Sequence, residues 1–313
     1  MRTFTEHASC SGCSLCLLAC PVWQQRGDVR LTPHGRSKAQ QHGAAMAALA
    51  ASAATCTLCM ACEPICPEHL PLVDMVLALR AHAPLAPERI RARMDAAAAR
   101  VSGPSLAAKP ALIASPALSA DPARLQRILR LLGEGFRYAD DDGADIALAL
   151  EAGVPVPDSR RIRFFGPLEE ASELVVADGL LLRYLRASFA GGRIRSLGEA
   201  LSASPRVRSR LGAGDLYVIE PRAFHAEHER LVRHYDALRE ERGCAMNLDL
   251  QRLAIPTTAG AVQHALGLPA IEVARQAQWI LEGLKVQRIV IEDLADAAAF
   301  AGCGAPVVHV GDL

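Results

Sequence analysis

Apolar positions recur at two periods along this chain. Between Asp121 and Gly133, Leu125, Ile128, Leu129 and Leu132 fall three or four residues apart, the stripe of an amphipathic helix. Asp121 stands at the N-cap, Pro122 at the first helical position and Gly133 at the stop. Helices are also predicted over Leu15–Ala19, Leu72–Ala81, roughly 87–100, about 226–242 and 270–284. Ser37 to Thr55 is rich in alanine, has no β-branched residue before Thr55, and reads as helix. Short apolar runs predict strands at Ala111–Ser115, Ile162–Phe165, Leu174–Ala177, Leu216–Glu220, Arg288–Glu292 and Val307–Val310. Short apolar strands alternating with helices imply parallel sheets covered on both faces. The chain therefore divides into a helical part and an α/β part.

A weak repeat runs through the second part. Tyr217-Val218-Ile219-Glu220 and Ile289-Val290-Ile291-Glu292 are near copies. Each precedes a helix, a Gly-Cys pair (243–244 and 302–303) and an Asp-Leu pair (249–250 and 312–313). The expected domains are residues 1–82, a linker with a short helix over 83–109 marked by Pro84, Pro87, Pro104 and Pro110, a first α/β lobe over 110–250 and a second over 251–313.

Charge narrows the partners. Lys+Arg and Asp+Glu are 34 each, so no basic surplus favours nucleic acid. The apolar stretch Gly43–Thr55 is too short to span a bilayer, and Met1–His7 has no apolar core for export. The expectation is a soluble cytoplasmic protein that reaches a membrane only through a partner.

Of the 10 cysteines, 8 lie in the first 66 residues. They form Cys10-x2-Cys13-x2-Cys16-x3-Cys20-Pro21 and, with every spacing repeated, Cys56-x2-Cys59-x2-Cys62-x3-Cys66-Pro67. This is the run of a two-cluster bacterial ferredoxin. Three thiolates at steps of three residues wrap one face of a cubane. The fourth cysteine of each run reaches the other cluster. One [4Fe–4S] cluster is thus expected on Cys10, Cys13, Cys16 and Cys66, and a second on Cys56, Cys59, Cys62 and Cys20. Structural zinc also uses four thiolates, but as two separated knuckles. It leaves the middle cysteine and the trailing proline of each run unexplained. The helical reading between the runs makes this an α-helical ferredoxin domain.

The segments 13–23, 26–36 and 56–67 together resemble the iron–sulfur subunits of glycolate oxidase, anaerobic glycerol-3-phosphate dehydrogenase and heterodisulfide reductase, over residues 8–80. Thr32-Pro33-His34-Gly35-Arg36 stands where those subunits carry Ser-Pro-Arg-Gly-Arg. The resemblance implies tandem α/β lobes, each with a Cys-Cys-Gly turn and a strand ending in Cys-Pro-x-Cys. Here Ala177-Asp178-Gly179 and Thr258-Ala259-Gly260 stand at the expected Cys-Cys-Gly places. Glu220-Pro221-Arg222-Ala223 and Glu292-Asp293-Leu294-Ala295 replace the Cys-Pro-x-Cys turns. Only Cys244 and Cys303 remain beyond the ferredoxin domain, too few for a cluster. The resemblance also implies an electron-transfer subunit with no catalytic residue of its own. It would take electrons from an FAD-containing dehydrogenase of a 2-hydroxy acid such as glycolate or lactate, and pass them to quinone or another acceptor. The alternatives are a disulfide-reducing subunit, which needs the missing cysteines, and a redox-sensing or assembly protein.

Other residues have plainer readings. Cys244 and Cys303 read as packing, although their matching places in the repeat suggest a pair. His69 reads as a solvated loop residue. Arg36 and Lys38 have two equal readings, docking an acidic partner or balancing cluster charge on the one hand, and a simple surface role on the other. His225, His228 and His234 read as one polar helix face, and Trp23 and Trp279 as core. Gly191-Gly192 and Gly302-Cys303-Gly304 read as turns, with no dinucleotide fingerprint.

Overall fold

The computed structural model describes residues 9–99, 106, 108–189, 192–258, 260, 262–263 and 271–313. The readings of Met1–His7, Pro104, Gly191 and Ala259, the last residue of the helix expected over 87–100 and the first of that expected over 270–284 lie outside these residues.

The N-terminal part is helical. Helices α1 (Leu15–Leu18) and α2 (Pro21–Arg26) follow the first cysteine run, and α3 (Pro33–Gln41) and α4 (Met46–Ala54) fill the segment between the runs. The single helix expected over Ser37–Thr55 is thus two. The chain breaks at Gly43, whose φ of 81° a helix does not allow. After the second run come α5 (Leu72–His82) and α6 (Pro87–Ala98). Helix α6 is not a free spacer. Its Ile90 and Met94 are buried against Leu148, Ala149 and Ala152 of the following region.

Two four-stranded parallel sheets make up the rest. The first contains β1 (Pro110–Ile113), β2 (Arg137–Tyr138), β3 (Glu173–Val176) and β4 (Ile194–Ser196) in the order β2-β1-β3-β4. The second contains β5 (Asp215–Val218), β6 (Ala245–Met246), β7 (Arg288–Ile291) and β8 (Val307–His309) in the order β6-β5-β7-β8. One apolar core runs between the sheets and holds Leu112 and Val175 of the first with Tyr217 and Val290 of the second. Among the described residues no helix is long and apolar enough to cross a membrane.

The sheets correct several expectations. The boundary at 250/251 falls inside the second sheet, which takes β5 and β6 from before it. The near copies Tyr217–Glu220 and Ile289–Glu292 are neighbouring strands, with Tyr217 paired to Val290 and Val218 to Ile291. They look alike because both are central strands covered on both faces. The real correspondence is between sheets, β1 with β5 and β3 with β7. Ser115-Pro116 is therefore the counterpart of Glu220-Pro221, and Asp178-Gly179 that of Asp293-Leu294, not of Thr258–Gly260.

Ile162–Phe165 is not a strand but part of helix α10 (Asp158–Glu169). Helices α7 (Pro116–Ser119), α8 (Pro122–Leu132) and α9 (Ala144–Ala152) precede it. Arg160, Phe164 and Leu168 line its buried face at a spacing of four, while Ile162 is 68% exposed. The expected cap of α8 is present, with the Arg124 amide donating to Asp121 Oδ1 at 3.0 Å. Helices α11 (Gly179–Ser188), α12 (Leu197–Ser202), α13 (Pro205–Arg208), α14 (Pro221–Ala226), α15 (His228–Arg242) and α16 (Val273–Leu281) complete the set used below. Trp279 is exposed, because α16 buries Gln276, Ala277 and Ile280 instead. Cys244 is buried, as expected for packing, but Cys303 is exposed. They precede β6 and β8, which are opposite edges of one sheet, so they do not form a pair.

Candidate functional site

The cysteine runs fold into two loops of the same unusual shape. Gly12 and Ser14 flank Cys13 with φ of 81° and 66°, and Leu58 and Met60 flank Cys59 with φ of 53° and 66°. A left-handed residue on each side of the middle cysteine turns backbone N–H groups to one side. Such concavities surround phosphates and iron–sulfur clusters. Three of the four are not glycine, at a cost of roughly 1 kcal/mol or more each. In the second loop, burial of Leu58 and Met60 offsets part of this.

Each loop borders a narrow void. One is lined by Cys10, Cys13, Cys16 and Cys66. The other is lined by Cys20, Cys56, Cys59 and Cys62. The fourth cysteine of each run thus lies against the void of the other run. Burial pushes the Cys16 and Cys20 thiols up to about 11 and the Cys59 thiol up to about 12. Cys13 is exposed, so the first void lies near the surface.

Helix α3 serves both voids. Thr32 caps it by accepting from the Gly35 amide at 3.2 Å, and the His34 backbone near its N-terminus favours the thiolate of Cys16, against the larger effect of burial. One turn on, Arg36 lines the second void and is fully buried, which removes the simple surface role from its two readings. Its Nη1 donates to the carbonyls of Leu31 at 3.1 Å and Ser52 at 2.9 Å. Its Nε and Nη2 are buried with no partner among the described residues. Two unmet donors of a guanidinium, beside four thiols, fit an anionic group in that void. Lys38 is half-buried, and its Nζ donates to the Cys10 carbonyl at 3.3 Å. His69 is exposed.

The second loop is held by Arg80 of α5 and by residues of the α/β part. Arg80 and Gln263 both donate to the Cys56 carbonyl. Arg222 Nη2 donates to the Thr57 carbonyl at 2.9 Å, and its Nη1 pairs with Glu151 at 3.0 Å. His225 Nε2 accepts from the Ala254 amide at 3.1 Å, which leaves the ring proton on Nδ1 to donate to the Cys59 carbonyl at 2.7 Å. Burial holds His225 down to about 3, so it stays neutral. The three histidines are therefore not one face. His225 belongs to α14, His228 bonds the Arg252 carbonyl, and His234 bonds Ser202. Nothing in the sequence marks His225, Arg222 or Gln263 as partners of a loop more than 160 residues away.

Comparison with known proteins gives one result. No curated protein and no solved structure matches the chain. Residues 6–70 match the family model of the 4Fe-4S dicluster domain, which supports an iron–sulfur domain at this end of the chain.

Proposed function

We propose that the chain is an electron-transfer subunit carrying two [4Fe–4S] clusters. Cys10, Cys13, Cys16 and Cys66 would hold one, and Cys20, Cys56, Cys59 and Cys62 the other. The observation that carries this reading is the exchange of the fourth cysteine between two neighbouring voids. The four thiols of each set surround a space.

The clusters would supply one-electron storage, suited to linking a two-electron flavin to another acceptor. The chain's own residues would do the rest. The thiols, hard to ionise where they are buried, would be kept as thiolates by iron. Arg36 would offset negative charge on the second set. Exposed Cys13 would mark the edge at which a partner exchanges electrons.

The donor, on the resemblance to glycolate-oxidase-type subunits, is an FAD-containing dehydrogenase of a 2-hydroxy acid. The acceptor is quinone or another redox protein. Anaerobic affinity purification with identification of co-purifying subunits tests this. A flavoprotein that reduces the chain when given glycolate or lactate supports it. A chain that co-purifies with no redox protein and accepts no electrons from such a dehydrogenase contradicts it.

A further inference from the structure

In each sheet the first and third strands lie side by side, and the chain leaves them in opposite directions, β1 toward β2 and β3 toward β4. The same holds for β5 and β7. Such a place is a topological switch point, and open parallel sheets bind ligands just beyond the carboxyl ends of the strands there. Here the two switch points share one cavity of about 1090 Å3. Ser115 after β1, Asp178 after β3, Glu220 after β5 and Asp293 after β7 all line it. That is room for a ligand of drug size rather than a lone ion.

The polar groups define the ligand. Asp178 and Asp293 are half-buried, and each uses Oδ1 to cap the segment that follows, from the Leu181 amide at 2.7 Å and the Ala295 amide at 3.0 Å. Glu220 accepts from the Arg222 amide at 3.1 Å and the Ala223 amide. Burial, then repulsion among Asp178, Glu220 and Asp293, disfavours a full set of bare charges. Arg222 also lines the cavity, but its guanidinium is committed to Glu151 and to the Thr57 carbonyl. Gln263 lines it too. It is 1% exposed, and its Oε1 has no partner among the described residues. Arg93, which is exposed, and Ser115, Thr257 and Thr258 also line the cavity, but with Asp142 and Glu151 five carboxylates outnumber the two guanidiniums, so the cavity is acidic.

We propose that this cavity binds a small organic cation, an amine whose ammonium group sits among Asp178, Glu220 and Asp293. Carboxylates from both sheets would neutralise it and donate nothing of their own, so a neutral molecule of the same size gains little there. Arg222 and Gln263 belong both to this cavity and to the clamp on the Cys56–Cys59 loop, which sets the ligand beside the second thiol set. The proposal stands without the electron-transfer reading, because binding needs no electron to move.

Isothermal titration of putrescine and spermidine into the full chain, purified with its iron, tests it. 1,4-Butanediol serves as the neutral control. Saturable binding of an amine is expected, with none of the diol. In the Asp178→Asn, Asp293→Asn double variant, affinity should fall by about tenfold or more. Asparagine Oδ1 keeps both caps, and unchanged iron content shows that the variant folds. The contrast between amine and diol on the unaltered chain stands even if the variant does not fold. No saturable binding of either amine, equal binding of the diol, or unchanged affinity in an iron-replete double variant would overturn the proposal.

Discussion

Arg36 is anchored by Ser52. Its Nη1 donates to the Ser52 carbonyl at 2.9 Å and to Ser52 Oγ at 3.0 Å, which leaves Nε and Nη2 buried beside Cys20, Cys56 and Cys59. A fixed positive charge there favours the reduced, more negative state of a cluster. Replacing Arg36 with Gln should lower the midpoint potential of the cluster on this set by roughly 60 mV or more, the equivalent of one charge-assisted hydrogen bond. Lysine should restore part of the shift. An EPR-monitored redox titration reads both clusters. The cluster on Cys10, Cys13, Cys16 and Cys66, whose void Arg36 does not line, should be unaffected.

The exchange of fourth cysteines has its own test. Cys20→Ser should damage the cluster on Cys56, Cys59 and Cys62, and Cys66→Ser the one on Cys10, Cys13 and Cys16. EPR spectra of the two reduced variants should therefore lose opposite signals, each from the run that was not mutated. Loss of the signal from the mutated run would reverse the assignment.

The lobes should contribute no thiol to a cluster. Cys244 is buried at one edge of its sheet, and Cys303 is exposed near the other. The double variant Cys244→Ser, Cys303→Ser should keep its full iron content. Cys303 should react with a bulky maleimide in the native protein, and Cys244 only after unfolding. Mass spectrometry of the labelled peptides checks both.

Glu292 gives the stability of the second sheet a pH dependence. Burial pushes its carboxyl from the ordinary 4.5 up to about 7, although Tyr235, Tyr217 and the Glu220 amide all donate to it, at 2.6, 2.8 and 2.8 Å. Between those two values the folded chain holds a proton that the unfolded chain has lost. The contribution is therefore fully present below pH 4.5 and is lost as pH rises through about 7, up to about 3 kcal/mol. Urea unfolding at a series of pH values should show this decline, and Glu292→Gln should flatten it.

The two cysteine runs were legible because their spacing is a local property. Cys10–Cys20 and Cys56–Cys66 could be grouped from the sequence alone, and the spatial grouping of the thiols follows the same exchange. Caps were equally local, as Asp121 and Pro122 show. What escaped was non-local. The sequence leaves Arg36 between a surface role and a charge-balancing one, and its burial follows from Leu31 and Ser52, which supply its acceptors. His225 sat in an apparent polar stripe, but the chain breaks between α14 and α15 and turns it toward Cys59. Ile162–Phe165 matched a strand because one exposed isoleucine completed an apolar run that is really a helical stripe. The repeat was found in the wrong pair of segments, since neighbouring central strands are more alike in sequence than the equivalent strands of two sheets.

Stoichiometric reductive titration of the anaerobically purified chain, followed by low-temperature EPR, tests the central claim most directly. Two cysteine sets should take up about two electrons per chain, one for each cluster, with two signals broadened by their mutual coupling. Uptake of a single electron, or of none with zinc bound to the thiols, would contradict it.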